Sequence, residues 1–174
     1  MNINSLVDFA NQANDIIGKF RIEFVLSPEQ LSVDQYGIDS LQCDSISYGD
    51  AELNKVPDDK RGVYAFAICK QGHKVQPPHG YVLYIGIAGR DSDRSLRKRY
   101  MDYLNEKKVM KRERIARMIG TWHSVLRFFF APVNDSVSSS DLQIIEEKLN
   151  SALLPPFSIG DLEAGIKSKR RAFQ

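Results

Sequence analysis

Two tyrosines, an arginine and a glutamate in this 174-residue chain occupy positions from which side chains could act together on an oxyanion. Tyr64 and Tyr84 stand in two short apolar runs, RGVYAFAICK (61–70) and YVLYIGIA (81–88), each beside a glycine in Gly62-Val63-Tyr64 and Tyr84-Ile85-Gly86. Their β-branched and aromatic content reads as two strands of a hairpin with a long connection over 71–80, which holds Gly, Pro and His. Alternation sets Tyr64, Phe66 and Ile68 on one face of the first strand and Val82, Tyr84 and Gly86 on one face of the second, so both phenols can point at a common site. Glu146 falls inside the apolar helical stripe Leu142, Ile145, Leu149, Ala152 and Leu153, whereas Glu147 falls outside it. A carboxylate on such a stripe is costly to bury unless it is paired or binds a metal, which leaves a structural salt bridge or a divalent cation. Arg99, three after Leu96 and four before Tyr103, lies at the edge of a second stripe. Its planar fork suits a phosphate, or an ion pair with Glu146 or another acid.

The elements that must hold these residues follow from periodicity and punctuation. A helix is expected over 5–18 and a strand over 21–26; residues 27–60 mix Pro, Asp, Gly and Ser with few apolar anchors. After the hairpin, the DSDR run at 91–94 supplies an N-cap cluster for a helix over 95–107, carrying Leu96, Tyr100, Tyr103 and Leu104. A second basic helix over 108–118 is closed by Gly120, and a third strand over 124–131 is ended by Pro132. The last helix, 141–154, opens with Ser140 and Gln143 in capping-box spacing and stops at Pro155-Pro156. The expectation is a mixed α/β (α+β) fold, a small three-stranded antiparallel sheet flanked by helices. It is preceded by an acidic extension, 1–60, packed on the core domain of 61–160, and followed by a basic tail, 161–174, that includes KSKRR at 167–171.

A 43% apolar and 26% charged composition is that of a globular domain. Cys43 and Cys69 have no CxxC partner, so they read as reduced structural thiols, and His73, His79 and His123 have no metal-binding spacing. All three histidines read as surface or packing residues, with contact of His73 and His79 at the hairpin tip to a nucleic-acid groove as the lesser alternative. No targeting segment or membrane-length apolar run is visible, which suggests a soluble cytoplasmic protein. The net charge of +2 conceals an asymmetry: residues 1–60 hold 11 Asp/Glu and 4 Lys/Arg, a net −7, leaving +9 for the rest. Residues 94–117 alone carry ten Lys/Arg against Asp102, Glu106 and Glu113. A polyanion is the natural partner of such a surface, and a solvated helix face is the plainer alternative. The cations offered to a nucleic acid are Arg90, Arg94, Arg97, Lys98, Lys107, Lys108, Lys111, Arg112 and Arg114.

The ordered set of Gly-Val-Tyr, Tyr-Ile-Gly, the arginine-bearing SLRKRYMDYL and the glutamate-bearing LQIIEEKLNSALLPPFS resembles the GIY-YIG nuclease family over about residues 61–158. The resemblance implies Tyr64, Tyr84, Arg99, Tyr103 and Glu146 as catalytic residues, with Glu146 holding Mg²⁺ or Mn²⁺. It implies hydrolysis of phosphodiester bonds in DNA, with RNA a second candidate; a restriction or phage-defence enzyme suits the compact chain and long loop by analogy, and monomer and homodimer both stay open. Under it Tyr64 orients or deprotonates the attacking water, Tyr84 and Tyr103 support the substrate, and Arg99 stabilises the charge on phosphorus. Three departures from the family pattern stand out. Nineteen residues separate Tyr64 from Tyr84, Ile87 stands where some relatives carry Lys, and Ser158 stands where Asn is usual. Ile87 and Ser158 motivate the alternative of a nucleic-acid-binding module that keeps the fold without cleaving, and the long loop is the candidate for substrate choice.

Overall fold

The computed structural model describes residues 18, 20–23, 41–70, 79–90 and 94–158. The helix expected over 5–18, the hairpin residues 71–78 with His73, the acidic part of the N-cap cluster at 91–93 and the basic tail lie outside the described residues, apart from Gly18. So do residues 24–26 of the strand expected over 21–26, and residues 21–23 belong to no strand.

The elements in chain order are β1 (Asp44–Ser47), a 3-10 turn (Leu53–Lys55), β2 (Gly62–Lys70), β3 (His79–Ala88), α1 (Leu96–Leu104), α2 (Glu106–Met110), α3 (Glu113–Trp122), β4 (Leu126–Pro132) and α4 (Ser139–Leu153). The sheet has four strands in the order β1-β4-β2-β3, every neighbouring pair antiparallel. Three strands were expected. The fourth, β1, comes from the segment read as an extension, where Asp-Ser-Ile-Ser offers a single apolar residue and so almost no strand signal. Pairing supplies what the local pattern lacks: Ile46 lies opposite Phe128 and is fully buried. Arg127 of β4 ties the pair together, donating from Nη2 to the Ser45 hydroxyl at 2.9 Å and to the Ser45 carbonyl at 3.2 Å.

Helices cover both faces of the sheet. Tyr64, Phe66, Leu83, Phe128 and Phe130 pack with Leu96, Tyr100 and Tyr103 of α1 and with Ile115, Met118 and Trp122 of α3. Val63, Ile85 and Ile87 pack on the other side with Leu142 and Leu149 of α4. Plain alternation fails at one point. Phe66 faces Tyr84 but Ala67 faces Val82, so Leu83 is an extra residue in β3, and the bulge sends Val82 to the face opposite Tyr84. His79 pairs with Lys70 inside the ladder instead of lying on the loop.

Short polar side chains set the starts of α1, α2 and α4. Ser95 caps α1, accepting from the Lys98 amide at 3.2 Å. Asn105 then interrupts the helix expected to reach 107 and caps α2 through the Lys108 amide at 3.1 Å. The single helix expected over 108–118 is also two, broken at Lys111 and Arg112 between α2 and α3. Gly120 lies within α3, where burial of Ile115, Met118 and Trp122 outweighs its propensity cost of about 1 kcal/mol. In α4 the capping box is Ser138 with Asp141, not Ser140 with Gln143. The Ser138 hydroxyl accepts from the Asp141 amide at 3.1 Å, and the Asp141 carboxylate accepts from the Ser138 amide at 3.2 Å, a charge-assisted pair that Gln143 cannot offer. Beyond α4 the chain runs along the open edge of β3. The Phe157 amide donates to the Leu83 carbonyl at 2.9 Å, and the Ser158 hydroxyl accepts from the Ile85 amide at 3.0 Å.

Candidate active site

Tyr64 reaches from β2 into the layer between the sheet and α1 and is 1% exposed. Its Oη lies 2.7 Å from the Oη of Tyr103 and accepts a hydrogen bond from Arg99 Nε at 3.0 Å. Arg99 and Tyr103 are one turn apart on α1, so a single helix face delivers both to the phenol of a strand. Tyr84 of β3 completes the group: its ring centroid is 6.3 Å from that of Tyr64 and 6.2 Å from that of Tyr103. Gly86 sits opposite Tyr64 in the ladder, where a Cβ would lie 2.5 Å from the Tyr64 Oη and 2.6 Å from its Cζ. The glycine of Tyr-Ile-Gly is thus the space that Tyr64 fills.

Burial, followed by the neighbouring Tyr103 and Tyr84, holds the Tyr64 hydroxyl well above the usual tyrosine range, and Arg99 offsets this only in part. Burial likewise pushes Tyr84 up, with Tyr103 adding to it. Both phenols are therefore neutral hydrogen-bonding groups near neutral pH. Arg99 is disfavoured as a cation by burial, but the oxygens of Tyr64 and Tyr103 more than offset this and leave its pKa raised.

Two further side chains belong to this cluster, and sequence patterning assigned them no part in it. Arg112, expected only among the nucleic-acid contacts, donates from Nη2 to the Tyr103 hydroxyl at 3.2 Å and lies over its ring, Cζ 4.7 Å from the centroid. Asp102 accepts from Arg94 and Lys108 at 2.5 Å each and lies 3.9 Å from Arg99 Nη1, so it braces the outer side of the guanidinium that Tyr64 holds through Nε. A pattern of charges along a helix shows neither arrangement.

Glu146 enters from α4 and is 5% exposed. The apolar residues of α4 pack on the Val63, Ile85 and Ile87 face, so the bonds joining Tyr64, Tyr103, Arg99 and Arg112 run on the other side of the sheet. One turn after Glu146, Asn150 is fully buried, and neither its Nδ2 nor its Oδ1 has a hydrogen-bond partner among the described residues. No group of three or more His, Cys, Asp or Glu among the described residues is placed to hold a metal. By chemical type, a carboxylate and an amide oxygen are hard donors of the kind Mg²⁺ and Mn²⁺ accept alongside water and phosphate.

The nine cations expected on a nucleic acid divide. Arg94 and Lys108 bind Asp102, and Arg112 binds Tyr103. Arg97 holds the chain before β2, donating to the Val56 carbonyl at 2.7 Å and the Asn54 carbonyl at 3.1 Å. Arg90, Lys98, Lys107, Lys111 and Arg114 are exposed. His123 is exposed, and Cys43 and Cys69 are free thiols. No helix among the described residues is long and apolar enough to cross a membrane.

Fold and site together define a mixed α/β domain on a four-stranded antiparallel sheet with a buried tyrosine–arginine cluster against one face. No family model, no curated protein and no solved structure matches the chain.

Proposed function

We propose that the protein is a metal-dependent endonuclease of the GIY-YIG type that hydrolyses phosphodiester bonds in DNA. The observation that carries this reading is the hydrogen-bonded chain from Arg99 to Tyr64 to Tyr103, because residues given catalytic roles by resemblance alone come from a strand and a helix to meet within 3.0 Å. In the reaction the oxygen of water bonds to phosphorus as the bond to the leaving oxygen breaks, and negative charge gathers on the non-bridging oxygens. Arg99, held by Tyr64 and Asp102 and still partly exposed, offers its remaining N–H groups to that charge. Tyr64 is too buried and too firmly protonated to serve as a standing phenolate, so its part is to fix Arg99 and Tyr103. Tyr84, which is less buried, is the phenol that meets water or phosphate. The metal rests on the resemblance: Glu146 would hold Mg²⁺ or Mn²⁺, whose chemistry is Lewis-acid neutralisation of a phosphate.

The protonated state of Tyr64 favours a second reading, a module that binds nucleic acid without cutting it. Incubation of supercoiled plasmid with Mg²⁺ or Mn²⁺ separates the two. Wild type is expected to nick and linearise, and Glu146→Ala and Arg99→Ala to lose about 10²-fold or more of the rate while still binding DNA. Binding without cleavage by wild type, or equal background nicking in all three proteins, removes the enzyme reading.

A further inference from the structure

Arg112 precedes α3, its backbone held by its amide on the Val109 carbonyl at 2.8 Å and its carbonyl under the Ala116 amide at 2.9 Å. Its guanidinium is half-buried and rests on the ring of Tyr103, a phenol with no exposed surface. Arg99 approaches the same ring, its Cζ 5.8 Å from the centroid. Two cations, one on α1 and one at the start of α3, thus converge on one phenol in partly desolvated surroundings.

Their counter-charges do not match. Asp102 lies 3.9 Å from Arg99 and is engaged at 2.5 Å by both Arg94 and Lys108, and Arg112 makes no ion pair with a carboxylate among the described residues. Partly buried guanidinium charge without a carboxylate is costly unless an anion completes it. Arg112 uses Nη2 on the Tyr103 hydroxyl, which leaves Nε and Nη1 for such an anion. The neutral phenols of Tyr64 and Tyr84 beside it add hydrogen-bonding groups without adding repulsion.

We propose that Arg112 is a second phosphate-gripping arginine, which with Arg99 binds the non-bridging oxygens of the scissile phosphate, its fork oriented by the ring and hydroxyl of Tyr103. The proposal rests on the nuclease reading for its substrate but on the arginine pair for its anion site. A diffuse contact to the DNA backbone would need only charge, whereas a fork on the reacting phosphate needs the planar geometry that lysine lacks.

The test uses the full chain. Arg112→Lys and Arg112→Ala are each expected to lower kcat for a DNA duplex about 10²-fold while Kd, measured with Ca²⁺ in place of Mg²⁺, changes only a few-fold. Recovery of wild-type kcat in Arg112→Lys, or a loss confined to Kd, overturns the proposal. Titration of wild type with inorganic phosphate, observed at the arginine Nε–Hε resonances, covers variants that fail to fold and a wild type that fails to cut. Movement of the Arg99 and Arg112 signals together keeps the anion site even if the nuclease reading has fallen. Movement of Arg99 alone, or of neither, overturns it.

Discussion

A methyl group on Gly86 would meet the hydroxyl of Tyr64 at 2.5 Å, and one on Gly62 would meet the Ala131 carbonyl at 2.2 Å. The glycines of both tripeptides are therefore required by close approach of a ring and of a backbone. Gly86→Ala is expected to destabilise the fold by about 1–3 kcal/mol through overpacking, read as a lower urea midpoint. It should also displace Tyr64 from Arg99 and so lower plasmid cleavage. An unchanged midpoint with full activity would show that Tyr64 can move aside at little cost. Alternation alone placed the two tyrosines on facing strands. The need for an empty Cβ position at Gly86 was not legible, because it depends on where the ring of a residue 22 positions earlier comes to rest.

Asp102 shows what periodicity along an element conceals. On α1 it is one acid in a basic run. In the structure it receives Arg94 from before the helix and Lys108 from α2, and stands behind Arg99. Its two tightest partners are about half exposed, so Asp102→Ala is expected to cost about 1–2 kcal/mol, between the values for exposed and buried pairs. It should lower cleavage more than DNA affinity, because three cations lose a common partner and Arg99 loses its brace. Thermal unfolding beside a cleavage and binding assay measures both, and loss of affinity with kcat retained would assign Asp102 to surface charge alone. The helix expected over 95–107 stops at Asn105 because one side-chain cap outweighs the small propensity gain of continuing. The stripes themselves, Leu96 to Tyr103 and Leu142 to Leu149, were legible and do face the sheet. Glu146 is buried as its position on the stripe requires.

At the scale of the whole molecule, residues 44–60 belong to the core. Ile46 and Val56 are fully buried, the Tyr48 hydroxyl donates to the Tyr103 carbonyl at 2.7 Å, and the Tyr100 hydroxyl donates to the Gly49 carbonyl at 2.8 Å. Each buried aliphatic contributes about 1.5–3 kcal/mol, a large share of a domain's net stability. A chain beginning at Arg61 is therefore expected to lose cooperative unfolding and near-ultraviolet circular dichroism. A sharp thermal transition in that fragment would return residues 44–60 to the status of an extension.

The sequence by itself determined the two-tyrosine hairpin, the amphipathic helices, the buried carboxylate at 146 and the charge asymmetry, because each is written in residues a few positions apart and needs only the period of a strand or a helix. Tertiary structure alone decided the fourth strand, the bulge at Leu83, the division of the basic run into exposed and engaged cations, and the entry of Arg112 and Asp102 into the site. These depend on partners brought together across the sheet or between helices. Nothing in the local pattern of Asp44–Ser47 announces Phe128, and nothing around Arg112 announces the ring of Tyr103 beneath it.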